Sequence, residues 1–238
     1  MMQSLVPEML MILLAIIAIS VLCVKAGKLT VPAAVMATLI GFLVALGAGP
    51  GGLLLLAIFF VLGIKATSHK KHLKMIPGAP HPERRKAGQV FANGGVAAIM
   101  ALLAELDPAH EDLYFVMLAA SLASATADTL SSELGMVYGR RFFNIITFKK
   151  EPKGLDGVIS LEGTLLGAAG ALVMAVAYAF FTYSEKYVLF VFIAGVFGTL
   201  ADSVLGATLD RRRYIGNDAV NFLNTLLAAM AAAGLCLL

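Results

Sequence analysis

The apolar residues of this chain fall in long continuous runs, broken by short polar or glycine-bearing segments, and not in alternation. Several runs approach the roughly 20 residues that cross a hydrocarbon core of about 30 Å. In lipid every backbone polar group needs a partner inside the protein, which leaves helix or closed barrel, and continuous runs favour helix. The pattern predicts spans at Glu8 to Val24, Val31 to Gly47, Gly52 to Lys65, Val90 to Leu106, Leu113 to Tyr138, Ile159 to Tyr183, Tyr187 to Leu209 and Ala219 to Leu238. The third is short. The expected architecture is an all-α polytopic membrane bundle of about eight spans, one domain over 1–238, with three peripheral spans in 1–65 and a motif-bearing core in 84–238.

Composition agrees. A chain 60% hydrophobic with mean hydropathy +0.89 is more apolar than soluble domains, which are roughly half apolar, so too little polar surface remains to cover a water-soluble globule. Basic residues mark cytoplasmic loops. With both termini outside an inner, cytoplasmic membrane, the lysines and arginines from Lys25 to Arg213 fall inside, Lys186 falls outside, and Glu105, Asp107, Glu111 and Asp112 gather outside. A net charge of +3 suits an anionic inner leaflet, and nothing resembles a nucleic-acid module. The first span has Glu8 ahead of it and no basic n-region, so it is expected to stay as a helix and not to be cleaved as a signal peptide. Cys23 and Cys236 lie within spans and read as small buried hydrophobes.

The fifth and seventh spans repeat. Thr126-Ala127-Asp128-Thr129 aligns with Leu200-Ala201-Asp202-Ser203, with Gly135 and Gly206 following. Counting back from Arg140 and Arg211 puts each carboxylate roughly 14 to 18 Å above the basic loops, at similar depth. The neighbouring helices carry polar pairs at i and i+4: Gln89 with Asn93, Ser160 with Thr164, Asn221 with Thr225. Such pairs share a helical face. Ser121, Ser124, Ser131 and the glycines at Gly195 and Gly198 add small residues to the same stripe. Close packing and interhelical hydrogen bonds are the ordinary explanation for glycine, serine and threonine in membrane helices. They do not explain the carboxylates: an acid deep in a span costs from about 2.5 kcal/mol upward and marks a functional site. Asp128 and Asp202 are therefore the leading candidates. The first three spans have no such stripe and are expected to complete the bundle.

Three polar segments sit on the basic side. One is Glu83-Arg84-Arg85-Lys86-Ala87-Gly88-Gln89, one runs from Tyr138-Gly139-Arg140-Arg141 to Lys153-Gly154-Leu155-Asp156-Gly157, and one is Asp210-Arg211-Arg212-Arg213-Tyr214 followed by Asn217-Asp218. A polyphosphate with Mg²⁺ needs carboxylates for the ion, basic groups for phosphate oxygens, and glycines or helix N-termini where backbone N–H groups approach closely. All three are present at one face. Arg212, Arg213, Lys70, Lys71 and Lys74 are expected from topology and lipid headgroups alone. Glu133 lies about 140° round the helix from Asp128 and can join the same site only if that site is broad. His69, His72, His81 and His110 lack zinc-ligand spacing, and no phosphate-binding loop of the soluble nucleotide-binding kind is present.

The runs Ser124 to Gly135, Gly154 to Ser160 with Gly163-Thr164, and Gly198 to Ser203 with Gly206-Ala207, together with Arg85, Gln89, Asn93 and Gly94, resemble the membrane family that includes plant phytyl-phosphate kinase and the human transmembrane-protein-19-like proteins. The likeness covers about Arg84 to Thr225; Val158 stands where that family commonly has a second glycine. A fainter likeness reaches the CTP-dependent phosphatidate cytidylyltransferase and dolichol kinase. The resemblance implies a CTP- or other nucleoside-triphosphate-dependent kinase that converts an isoprenyl monophosphate to the diphosphate with Mg²⁺, at a site facing the cytoplasm. Asp128, Asp202, Arg140 and Lys153 are then the expected catalytic groups. Asp128 and Asp202, with Glu133 and Asp156, are the expected metal ligands. Arg85, Lys86, Gln89, Asn93, Gly154, Gly157, Ser160, Thr164, Arg211, Asn217 and Asn221 are the expected nucleotide and phosphate contacts. A lipid-phosphate cytidylyltransferase and a secondary transporter are the alternatives, the latter because midplane acids on repeated helices also occur in carriers.

Overall fold

The computed structural model describes residues 2–74, 84–182 and 184–238; Glu83, His81 and Tyr183 lie outside the described residues. Its helices are α1 (Met2–Lys25), α2 (Val31–Ser68), α3 (Ala87–Leu106), α4 (Glu111–Tyr138), α5 (Leu161–Ala179), α6 (Glu185–Leu205) and α7 (Asn217–Cys236). Each is long and apolar enough to cross a membrane.

The second and third expected spans are merged in α2, a run of 38 helical residues interrupted at Gly49 (φ 54°, ψ −151°) just before Pro50. A straight helix of that length would measure about 57 Å. Yet Lys28 Nζ, just ahead of its first residue, donates to Ser68 Oγ at its last, at 3.0 Å. α2 is therefore a hairpin of two arms, each about 27 Å long, and the described residues make eight helical passes. Glycine adopts the positive φ without the clash a β-carbon would add, and Pro50 suits the start of an arm, where its missing N–H leaves nothing unpaired. Thr30 caps the first arm, its Oγ1 accepting from Ala33 N at 3.3 Å. A single backbone bridge then ties this corner to the start of α3: Arg85 N donates to Lys28 O at 3.0 Å and Thr30 N to Arg85 O at 3.1 Å.

α4 is the central helix, touching α2, α3, α5, α6 and α7. Its buried stretch is built from small residues, including Ala119, Ala120, Ser121, Ala123, Ser124, Ala125 and Ala127, so five neighbours can approach it closely. On the α5 side this closeness is absolute: a β-carbon at Gly163 would lie 2.9 Å from Ser131 O, and one at Gly167 2.8 Å from Ala127 O. The hydroxyls of Ser121, Thr126 and Thr129 return to carbonyls of their own helix at 2.7 to 2.8 Å. For these positions the packing explanation holds.

The segment between α4 and α5, one of the three polar segments of the basic side, is an ordered hairpin. β1 (Phe142–Asn144) pairs antiparallel with β2 (Val158–Ser160), and Asn144 Oδ1 accepts from the N–H groups of Ile146 and Thr147 at 2.9 and 3.1 Å to fix its turn. Ser160 ends β2 and caps α5, accepting from Gly163 N at 3.1 Å.

Candidate functional site

At the basic end a polar cavity of about 310 Å³ opens between α3, α4, α6, α7 and the Gly154–Gly157 loop. Asp128 from α4 and Asp202 from α6 meet in it, their carboxyls side by side and within hydrogen-bonding reach of one another when one carries a proton. The two repeated helices thus converge on one point. They are not equivalent there. Asp202 Oδ1 accepts from Asn224 Nδ2 at 2.6 Å, and Asn224 Oδ1 accepts from Ser124 Oγ at 2.9 Å, so a buried relay orients Asp202 while Asp128 leans on Asp202. Asn224 was not among the expected site residues. The expected α7 pair was Asn221, which lines the cavity, and Thr225, which is buried and donates to Phe222 O at 2.8 Å.

Asp156 lines the cavity between two glycines of positive φ, Gly154 (84°) and Gly157 (71°). Gly157 is seated against the end of α6: a β-carbon there would fall 2.6 Å from Ala207 N. A π-turn over Gly206–Asp210 follows, and Arg211 reaches back from it, its Nε donating to Asp156 O at 2.6 Å and its Nη2 to Glu151 Oε2 at 2.6 Å. The Arg211 guanidinium holds the Glu151 carboxyl below its ordinary value of 4.5. Glu133 also reaches the cavity, so the site is broad enough to include it, and it pairs with Lys74 Nζ at 2.6 Å. Lys74, expected at a lipid headgroup, is instead 2% exposed and also donates to Ala66 O and Thr67 O at 2.7 and 2.9 Å. It caps the carbonyl end of α2, where a cation is favoured.

Two arginines line the cavity, the expected Arg85 and also Arg84. The Arg85 guanidinium sits 5.9 Å from the centre of the Phe59 ring and among the described residues makes no hydrogen bond. Burial pulls its pKa below the ordinary guanidinium value, with Glu133 acting in the opposite sense; a guanidinium stays charged under such conditions. Gln89, Asn93, Ser160 and Asn217 complete the expected wall. Gln89 is shared with the helix start, its Oε1 accepting from Lys86 N at 2.9 Å.

Five expected residues are not brought to this wall. Lys153 Nζ is spent on Leu73 O and Met136 O at 3.1 and 3.2 Å, and Arg211 on Glu151 and Asp156. Arg140 lines a separate cleft with Arg141, Phe143 and Glu162. Lys86 is exposed ahead of α3, and Thr164 Oγ1 donates to Ser160 O at 3.0 Å. Among the described residues no three His, Cys, Asp or Glu side chains gather as a set able to hold an ion by themselves.

The family described as Integral membrane protein DUF92 matches residues 14–229. The chain belongs to this family. The DUF92 match takes in every motif on which the resemblance to the phytyl-phosphate kinase and transmembrane-protein-19-like family rested, from Arg84 to Thr225. Among curated relatives, an uncharacterized membrane protein of Synechocystis is 34% identical over 190 residues, covering 78% of this chain and 73% of its own. One of Methanocaldococcus jannaschii is 32% identical over 198 residues, covering 81% and 79%. Protein VTE6, chloroplastic, of Arabidopsis thaliana is 30% identical over 207 residues, covering 82% of this chain and 62% of its own. No solved structure matches this DUF92 chain.

Proposed function

We propose that this protein is a membrane-embedded kinase that moves the γ-phosphoryl group of CTP, or another nucleoside triphosphate, onto an isoprenyl monophosphate such as phytyl phosphate, giving the diphosphate. The carrying observation is the meeting of Asp128 and Asp202, one from each repeated helix, in a cavity that also holds Arg84, Arg85 and the glycine-flanked Asp156 loop. The motif resemblance to phytyl-phosphate kinase and the similarity to VTE6 support the same reading.

Two adjacent carboxylates repel unless a cation lies between them. A pair without a third acid suits Mg²⁺, which is ordinarily held by one or two carboxylates together with phosphates and water. Asp128 and Asp202 would hold it, with Asp156 and Glu133 in reach of the same cavity. Bound there, it would neutralise charge on the transferring phosphoryl group. Asn224 keeps the Asp202 carboxylate turned toward Asp128. Arg84 and Arg85 supply the positive charge that lets two anionic substrates share the cavity, and Gly154 and Gly157 allow phosphate oxygens close to the backbone. The acceptor phosphate oxygen is already an anion, so no general base is needed. It forms a new bond to the γ-phosphorus, the bond to the β-phosphate oxygen breaks, and the nucleoside diphosphate leaves. Positioning and charge neutralisation supply most of the catalysis in such transfers. By the distribution of basic residues the site faces the cytoplasm, with both termini outside.

Purified protein in detergent, given Mg²⁺, γ-labelled CTP and phytyl phosphate, is expected to place label on the lipid. Label released as pyrophosphate would mean a cytidylyltransferase, and nucleotide-free substrate flux in proteoliposomes would mean a carrier. Either result removes the kinase reading.

A further inference from the structure

Beside the polar cavity lies a second one, of about 460 Å³, a half-open groove lined by α1, both arms of α2 and α3. It falls within the roughly 300–1,000 Å³ typical of small-molecule sites. Its wall is aliphatic and aromatic, with residues such as Ile12, Ile16, Ala37, Ala57 and Phe60. Ser20, the one hydroxyl on it, is already engaged by Thr38 Oγ1 at 3.0 Å. Its charged and amide groups are confined to Arg85 and Asn93, and these two residues also line the polar cavity. The two spaces therefore adjoin at these two residues, a guanidinium that makes no hydrogen bond among the described residues and an amide.

That amide is incomplete. Asn93 is 9% exposed; its Nδ2 donates to Gln89 O at 2.8 Å, and its Oδ1 has no hydrogen-bond partner among the described residues. The Gln89 carbonyl fixes which end is the amine, because a flipped amide would set oxygen against oxygen. A buried acceptor left unpaired costs about 1–3 kcal/mol, and the P–OH of a monoprotonated phosphate is a donor that would satisfy it beside the Arg85 guanidinium. On α1 the cavity runs from Cys23 to Ile12, about 16 Å along the axis, or one leaflet's share of a core of about 30 Å.

We propose that this apolar cavity houses the hydrocarbon chain of the isoprenyl phosphate, with Arg85 and Asn93 holding the phosphate at the threshold between the two spaces. The assignment rests on the substrate class proposed above, and it gives α1 and α2 a task beyond completing the bundle: they measure the chain. A groove that lines a leaflet's length of hydrocarbon discriminates by chain length, and bulk near its middle shortens what fits.

Two measurements test this. Ala57 is exposed on the α2 wall, so Ala57→Trp fills space without disturbing a packed core; Ala37→Phe is the second variant. Both are expected to lower kcat/KM for phytyl monophosphate at least about tenfold more than for dimethylallyl monophosphate. Equal losses on both substrates, or none on phytyl monophosphate, would overturn the proposal. Independently of turnover, phytyl monophosphate carrying a diazirine near its chain terminus is expected to label peptides of α1 and α2, with label suppressed by excess phytyl monophosphate. Labelling confined to other helices, or unaffected by that competitor as for bulk lipid, would sink it. Specific labelling without any phosphoryl transfer would remove the kinase reading and keep the chain site; transfer without labelling of α1 or α2 would do the reverse.

Discussion

The polar cavity is walled by groups that are held in place by other groups: Asp202 by Asn224, Asn224 by Ser124, the Asp156 loop by Arg211, Glu133 by Lys74. The apolar cavity next to it has almost no such scaffolding, and α1, which forms one side, rests on the bundle principally through α2. Fixed dipoles and charges suit a region where reacting atoms must be aligned. A wall of interchangeable aliphatic side chains suits one that excludes water and tolerates a flexible occupant. Substitutions around the polar cavity should therefore be felt in chemistry, and those around the apolar one only in selectivity.

The largest expected effect is on the acids. Asp128→Asn and Asp202→Asn should each lower phosphoryl transfer by about 10²–10³, with a melting temperature in detergent no lower than that of the parent protein, since each change removes like-charge repulsion. If transfer persists at parental rates in both, the polar region has been misassigned. Lys74→Ala should cost about 3 kcal/mol in stability, because it leaves two helix-end carbonyls and part of the Glu133 carboxylate unpaired in a buried place; denaturant titration reads it. Asn224→Ala should cost about 2 kcal/mol, stranding Asp202 and the Ser124 hydroxyl, and should reduce transfer on phytyl and dimethylallyl monophosphate alike. That parallel loss contrasts with the chain-dependent loss expected from Ala57→Trp.

The smallest effect concerns Glu151. Its carboxyl is held below 4.5 by Arg211 in the folded protein, so this pair contributes stability that is complete above pH 4.5 and is lost as pH falls through the lower folded value. Hydrogen exchange of the 149–157 loop should accelerate over that acid window, and Glu151→Gln should make the loop's exchange fast already at neutral pH.

What could be read in the residues alone divides along the same line. Asp128 and Asp202 stand out because a carboxylate contrasts with an apolar run, and their repeat spacing places them at one depth. No such contrast exists for Ile16, Ala37 or Ala57, since a side chain facing lipid and one facing a cavity have the same composition in a membrane helix. Asn221 and Asn224 lie within one turn of α7, so periodicity alone does not say which meets Asp202. Lys74 reads as a headgroup contact and Lys153 and Arg211 as site groups in the sequence, and only the fold shows that their charges are spent on carbonyls and on Glu133 and Glu151. Each strand of the β1–β2 hairpin is three residues long, too short for alternation to register. The short third span corresponds to the second arm of α2, set off from the first by the reversal at Gly49.

That reversal also binds the accessibility of two distant loops to each other. With Lys28 and Ser68 touching, a membrane-impermeant reagent must find cysteines substituted at both positions from the same compartment, whichever compartment that is, while one substituted at Gly49 must answer only from the other side.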